Sequence, residues 1–234
     1  MDKKIKLIIS GANGRMGSLI VQLAQQSANF VVVGQAEKDQ PLEAVIAKGE
    51  VVIDFSAKEA AADHALVAAR NKVPLVIGTT GLSLEEELEI KKASEIVPIV
   101  YAPNMSIGVN LLWKLAGRAA AVLAASSKIK IIEEHHVHKK DQPSGTAKKL
   151  LEVVVAEAGL NQQQAKEINI ESIRQGETIG DHLIRFTSAD EILEIKHQAL
   201  DRKVFAQGAL RAAQWIIEKP PALYTMEDVL GLKG

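Results

Sequence analysis

Three of the chain's six histidines, His135, His136 and His138, fall with Lys139 and Lys140 in one short run, Ile132 to Ala147. Imidazoles exchange protons near neutrality and ammonium groups carry fixed positive charge, so the run pairs proton donors with anion-attracting groups. Ile129, Ile131 and Ile132 precede it, and Pro143-Ser144-Gly145-Thr146 closes it. This order predicts a strand over 128–133 with a polar end, then a loop, then a helix over 144–158. Pro143 presets φ, Ser144 can cap, Gly145 keeps bulk away from the backbone and Thr146 adds a hydroxyl. The free N–H groups at such a terminus attract carboxylate or phosphate. Ser-Gly-Thr alone would fit an ordinary capped surface helix. Lys139 and the histidines beside it point instead to an enzyme acting on an acidic small molecule.

On a strand, His136 and His138 face one side and His135 the other. A His-x-His pair can ligate a metal, but no third ligand is evident from spacing, and Asp141, His64, His182 or His197 could be recruited only by the fold. No metal is therefore expected. Acid–base work or substrate binding by His135, His136 and Lys139 is the preferred reading, with a plain solvated basic strand end as its rival.

The other end of the chain offers a cofactor site. Ile5 to Ser10 has the pattern of a buried strand, followed by Gly11-Ala12-Asn13-Gly14-Arg15-Met16-Gly17 and an apolar helix through Leu23. Strand, glycine turn and helix form a dinucleotide-binding start, although the spacing is G-x-x-G-x-x-G, with Asn13 where a second glycine would stand. Asn tolerates left-handed geometry, and Gly14 still permits a close pyrophosphate. Phe30 to Val33 makes a second strand, with Glu37 at its end, spaced to bind ribose hydroxyls. Val51 to Phe55, Val73 to Ile77 and Val97 to Tyr101 give three more strands, an alanine-rich helix lying between the first two of these. The last two end in Gly78-Thr79-Thr80-Gly81 and Ala102-Pro103-Asn104-Met105, on the edge where such sheets bind ligands. A plain strand-to-helix turn is the alternative for Gly78 to Gly81. Lys38 and Arg15 are cations that could meet the 2′-phosphate of NADP, while Glu37 favours NAD, so NADH and NADPH are both expected as cofactors. Lys38 reads equally well as a solvated surface lysine.

Taken together, Glu133-x-His135-His136-x-x-Lys139-x-Asp141-x-Pro143-Ser144-Gly145-Thr146-Ala147 resembles the signature of the 4-hydroxy-tetrahydrodipicolinate reductase (dihydrodipicolinate reductase) family. Gly11 to Gly17, Glu37, Gly78 to Gly81, Ala102 to Met105 and Gly208-Ala209-Leu210-Arg211-Ala212-Ala213 extend the similarity over essentially the whole chain. Glu134 and Met105 depart from the family's usual smaller or aromatic residues. The resemblance implies NAD(P)H-dependent reduction of a cyclic dicarboxylate, with loss of water, in lysine and diaminopimelate biosynthesis. It also implies substrate carboxylates held by His136, Lys139 and the N–H groups of Gly145 and Thr146, and a proton delivered by His135 with Lys139. A homotetramer built on the second domain's sheet is a further implication.

Composition bounds the answer. At 234 residues and 47% hydrophobic, the chain can bury one or two cores. A net charge of −1, a pI near 6.6 and sparse aromatics argue against nucleic acid or an anionic membrane as partner. Without cysteine there is no disulfide, thiolate metal site or thioester-forming nucleophile, which excludes semialdehyde dehydrogenases. No apolar run reaches transmembrane length, and Met1-Asp2-Lys3-Lys4 leads straight into a strand, so a cytoplasmic enzyme is expected.

Alternating strands and helices to Met105 predict a Rossmann-like doubly wound parallel sheet. A long helix over 106–125 then leads to a second α+β domain with a mixed sheet, its strands at 128–133, 167–173, 178–187 and 191–197. Residues 1–106 and 208–234 are expected to form the dinucleotide-binding domain, the closing helix over 203–217 and the tail returning to it. Residues 107–207 would bind substrate and oligomerise through Ile184, Phe186, Ile192, Leu193 and Ile195. Hinges for closure are expected near Asn104 to Ile107 and at Gln207-Gly208. Another two-domain dehydrogenase, or a protein that senses NAD(H) without turnover, would share the first domain but not need the histidine–lysine run.

Overall fold

The computed structural model describes residues 3–233. Contacts divide the chain into two compact units, with boundaries after Ile107 and between Arg202 and Lys203.

The first unit runs β1 (Ile5–Ser10), α1 (Arg15–Gln26), β2 (Phe30–Ala36), two short 3-10 turns, β3 (Val51–Asp54), α2 (Lys58–Asn71), β4 (Leu75–Ile77), α3 (Leu84–Ala93) and β5 (Ile99–Tyr101). Its strands pair in parallel, in the order β10-β5-β4-β3-β1-β2. Leu7, Ile8, Ile9, Val51, Val52, Ile53, Leu75, Val76 and Ile77 have no exposed surface, as expected of strands covered on both faces. The strand period sorts them. Leu7, Ile9, Val51, Ile53 and Val76 pack with Ile20 and Ala24, whereas Ile8, Val52, Leu75 and Ile77 pack with Ala61, Ala65 and Ile90. Because β1 has β2 on one side and β3 on the other, the strand order reverses beside it, which opens a crevice at the strands' carboxyl ends. Helix α3 fits the predicted strand–helix alternation, which gave it no bounds. Its capping box of Ser83 and Glu86, acidic first turn and Lys91-Lys92 end account for it.

The second unit begins in α4 (Ile107–Leu123), followed by β6 (Lys128–His135), α5 (Gly145–Glu157), α6 (Gln162–Glu167), β7 (Asn169–Arg174), β8 (Asp181–Thr187) and β9 (Ile192–Gln198). Its sheet is mixed, in the order β7-β6-β8-β9, with β6 parallel to β7 and the other pairs antiparallel. Val109, Leu112, Trp113 and Ala116 of α4 and Leu150 and Val154 of α5 cover Ile131, Ile184 and Phe186 on one face. Gly117 lets α5 approach, since a Cβ there would stand 2.9 Å from Val153. Asn161 Oδ1 caps α6 by accepting from the Gln163 and Gln164 N–H groups, so the expected strand at 167 starts only at Asn169.

The expected docking surface loses two of its residues. Ile184 and Phe186 are 0% and 1% exposed inside this unit's own core and offer no docking surface, whereas Ile192 and Leu193 on the outer strand are exposed. The β alternation explains it, placing His182, Ile184 and Phe186 together on the helix-covered face.

The chain then returns to the first unit through α7 (Lys203–Ile216), β10 (Leu223–Tyr224) and α8 (Met226–Leu230). β10 adds an outer parallel strand beside β5. The hinge expected at Gln207-Gly208 lies well inside α7. A Cβ at Gly208 would sit 1.7 Å from the Met105 carbonyl oxygen, so this glycine serves close packing. Among the described residues no helix is long and apolar enough to cross a membrane.

Candidate active site

The glycine turn of the first unit is built for close approach. Gly11 has φ +74°, and a Cβ on it would meet the Phe55 carbonyl oxygen at 2.5 Å. A Cβ on Gly17 would lie 2.0 Å from the Gly11 carbonyl oxygen, so the first turn of α1 can rest on the loop only with glycine there. Gly14 occupies the N-cap of α1 without a side-chain cap, which leaves that terminus's N–H groups for a ligand. Asn13 does not adopt the left-handed geometry considered for it; Gly11 does. Instead the Asn13 backbone N–H donates to Glu37 Oε1 at 2.5 Å, which fastens Glu37 to the turn.

A cavity of about 520 Å³ opens at this point, lined by Gly11, Gly14, Glu37, Lys38, Phe55 and His64 among others. Of the other expected cofactor residues, Ala12 is buried, Arg15 is exposed at the helix start and Met16 packs partly against the core. Gly78 passes over the Phe55 ring, where a Cβ would come within 2.2 Å. Thr79 is buried, its hydroxyl donating to Asp54 at 2.6 Å, while Thr80 is exposed. Ala102 is buried, its N–H donating to the Ile77 carbonyl, and Pro103 is exposed. Asn104 accepts from the Ser106 N–H, and Met105 is buried in the core with 2% exposure, its side chain turned inward.

In the second unit, β6 continues to His135, beyond the expected end at 133. Glu133 and His135 therefore face inward together, and Glu133 pairs in register with His182 of β8. His136 and His138 lie past the strand, their rings tilted and 6.1 Å apart. Glu133, with no exposed surface, accepts from His135 Nδ1 through Oε2 and from Arg174 Nη2 at 2.9 Å through Oε1. The same Arg174 nitrogen donates to the Asp141 carbonyl at 2.7 Å, tying the loop to the strand. Lys139 pairs with Asp141 at 2.8 Å. Ser144 caps α5, accepting from the Ala147 N–H, and its hydroxyl is 3.3 Å from His182 Nε2. Gly145 and Thr146, the first residues of α5, are exposed and half-buried. Gly180 passes the far edge of His135, where a Cβ would stand 3.1 Å from Nε2.

Burial works to raise the Glu133 pKa, but the Arg174 hydrogen bond and nearby positive charge hold it below the usual carboxylate range. Burial moves His135 the other way. Despite Glu133, desolvation and the Lys139 and Arg174 charges lower its pKa, so at neutral pH the ring is neutral. An ionised Glu133 then fixes the proton on Nδ1 and leaves Nε2 as the exchangeable nitrogen. His182 is driven down to about 3, chiefly by burial, and stays neutral.

Glu133, His135 and His182 also bring three potential metal-ligand atoms within 4.8 Å of one another, a grouping the spacing did not reveal and separate from the His136/His138 pair. Arg174 holds one oxygen of Glu133 and His135 Nδ1 the other. Arg174 and the role of Glu133 were not foreseen from the sequence, and His182 was expected there only if the fold recruited it. The E-x-H spacing held the Glu133 signal, but Arg174 and His182 arrive only through strand pairing. A larger cavity, about 580 Å³, lies at the opposite end of β6 near Lys128 and Thr187 and contains none of these groups.

A glycine-turn parallel sheet and a carboxylate-held histidine beside a lysine at a helix start define an NAD(P)H-dependent oxidoreductase. The family models "Dihydrodipicolinate reductase, N-terminus" and "Dihydrodipicolinate reductase, C-terminus" match residues 5–105 and 108–230. The chain belongs to the dihydrodipicolinate reductase family. The 4-hydroxy-tetrahydrodipicolinate reductase of Alkaliphilus oremlandii is 41% identical over 97% of this chain and 98% of its own. That of Syntrophus aciditrophicus is 37% identical over 98% and 100%. A dipicolinate-bound dihydrodipicolinate reductase from Paenisporosarcina sp. TG-14 superposes with a TM-score of 0.82 at 25% identity, covering 95% of this chain and 98% of that one.

Proposed function

We propose that this protein reduces 4-hydroxy-tetrahydrodipicolinate to tetrahydrodipicolinate with loss of water, using NADH or NADPH, in lysine and diaminopimelate biosynthesis. The observation that carries the reading is the placement of His135, Lys139 and the N-terminus of α5 in one unit of a family member. In this reading the first unit, residues 1–106 with the closing segment, holds the dinucleotide through Gly11 to Met16, Glu37 and Lys38. The Gly78 to Thr80 and Ala102 to Met105 turns complete that edge.

Reduced nicotinamide supplies the hydride. Lys139, His136 and the N–H groups of Gly145 and Thr146 hold the substrate's carboxylates, the helix terminus adding its partial positive charge. His135 delivers the proton from Nε2. Since the free ring is neutral, the two substrate carboxylates raise its pKa on binding and load the proton as the substrate arrives. Glu133 and Arg174 keep the ring oriented, so the residues supply position and charge while the cofactor supplies the reducing power.

The helix-free face of the second sheet carries the ion pairs Lys130–Glu171 and Arg185–Glu194, and Ile192 and Leu193 stand exposed on its outer strand. This supports a homotetramer assembled through that sheet, in a cytoplasmic enzyme. The test of the site is binding of pyridine-2,6-dicarboxylate, the ligand of the Paenisporosarcina relative. It should bind the parent protein, bind Lys139→Ala about tenfold or more weakly, and bind Thr146→Val less tightly than the parent. Equal inhibition of all three would place the anion site elsewhere.

A further inference from the structure

Buried Asp54 and half-buried His64 form an ionic pair for which the chemistry above has no use. Asp54 ends β3 with no exposed surface and collects donors from all around: the Ser56 N–H at 3.1 Å, Ser56 Oγ at 2.9 Å, Thr79 Oγ1 at 2.6 Å and His64 Nδ1 at 2.5 Å. His64 Nδ1 also lies 3.2 Å from Ser10 Oγ. The pair thus gathers the carboxyl ends of β1, β3 and β4, the edge on which the glycine turn stands.

Such a knot could be only a brace, but the ring's other side argues for more. His64 lines the cofactor cavity together with Gly11, Gly14, Glu37 and Lys38, and its side chain keeps 17% exposure. All its hydrogen bonds are made by Nδ1. Among the described residues Nε2 has no partner. A half-buried imidazole anchored at one nitrogen, with the other unbonded in a polyanion-binding cavity, presents a directed donor.

We propose that His64 is a cofactor-binding residue that turns Nε2–H toward the phosphate–ribose part of the dinucleotide, with Asp54 as its positioning residue. Burial works against a charged ring, yet the hydrogen bond and charge of Asp54, helped by Glu43 and Asp63, raise the His64 pKa above 6.5. Asp54 is held ionised by the same bonds against its own burial. The groups facing the ring are Asp54 from β3, Asp63 on α2 itself, Glu43 from the first 3-10 turn, and Glu37 and Lys38 across the cavity. An imidazolium here favours the cofactor below its pKa, and the gain is lost as pH rises through it.

The inference rests on the cofactor reading of this cavity, and the test separates the two. NADH is the probe, because its pyrophosphate does not titrate between pH 6 and 9. Its Kd, read by fluorescence, should weaken about 3–10-fold from pH 6 to pH 9 in the parent protein, the size of one charge-assisted hydrogen bond in partly wet surroundings. His64→Gln should bind with the weaker affinity throughout, and His64→Lys should keep the tighter affinity up to pH 9. A pH dependence unchanged in His64→Gln makes the residue a brace and overturns the inference. Should the variants not fold, NMR titration of the parent's His64 ring serves instead. Saturation with NADH should raise its pKa, and an unmoved pKa overturns the inference. Absence of NADH binding to the parent at any pH removes the cofactor reading and this inference with it.

Discussion

Glu133 holds His135 by Nδ1 through one carboxylate oxygen while Arg174 holds the other oxygen at 2.9 Å. One buried anion therefore sets both the tautomer and the tilt of the ring. Glu133→Gln keeps the shape but can offer an N–H to Nδ1, which favours the opposite tautomer and removes the exchangeable lone pair from Nε2. Turnover should fall about 10²–10⁴-fold, the range for a disabled acid–base group, with KM changed far less and the pH–rate profile displaced. A loss of kcat with an unchanged pH profile would reduce Glu133 to a packing role.

Binding of the dicarboxylate should take up protons. His135 is neutral in the free protein because burial and the Lys139 and Arg174 charges lower its pKa, and two incoming carboxylates reverse that balance. Calorimetric titration of pyridine-2,6-dicarboxylate near pH 6.5, in buffers of different ionisation enthalpy, should show net uptake of a fraction of a proton, and His135→Gln should abolish it. Equal enthalpies in all buffers would mean the ring stays neutral throughout.

The fold was largely legible because its signals are local. The parallel sheet announces itself in unbroken apolar runs such as Leu7-Ile8-Ile9 and Val51-Val52-Ile53, and the glycine turn in the spacing of Gly11, Gly14 and Gly17. The Ser144 cap likewise stands as residue type and position predict. What stayed hidden depends on pairing between distant segments. His182 meets Glu133 only through the β6–β8 register, and Arg174 reaches it across 41 residues. Thr79 reads as a ligand-edge hydroxyl in sequence, yet Asp54 captures it from 25 residues away. The inward placement of Ile184 and Phe186 was undetermined because alternation gives two faces without saying which one the helices cover.

His182 should make the protein acid-sensitive. Its folded pKa is depressed to about 3 from 6.5, so the unfolded chain binds a proton that the folded one refuses between those values. The resulting stability is present above pH 6.5 and is lost as pH falls toward about 3. The Tm should drop between pH 7 and pH 5, and by less in His182→Leu. An identical pH dependence in the variant would assign acid sensitivity to other groups.

Gly17 and Gly208 should tolerate no side chain. Gly17→Ala forces the glycine turn off the start of α1, so NADH binding should be lost or weakened at least tenfold even where the chain folds. Gly208→Ala drives a methyl group into the Met105 carbonyl and should cost about 1–3 kcal/mol or more, as overpacking does. Thermal melts near the parent's for Gly208→Ala would show that α7 shifts freely.

The most direct test of the account is turnover itself. With 4-hydroxy-tetrahydrodipicolinate generated in place from pyruvate and aspartate semialdehyde, nicotinamide absorbance is followed with NADH and with NADPH, for the parent, His135→Gln and Lys139→Ala. The parent should oxidise at least one cofactor, dependent on the dicarboxylate. For His135→Gln kcat should fall about 10²–10⁴-fold with NADH affinity retained, and Lys139→Ala should lose both substrate affinity and rate. No oxidation by a parent protein that binds NADH, or near-normal kcat in His135→Gln, would contradict the account.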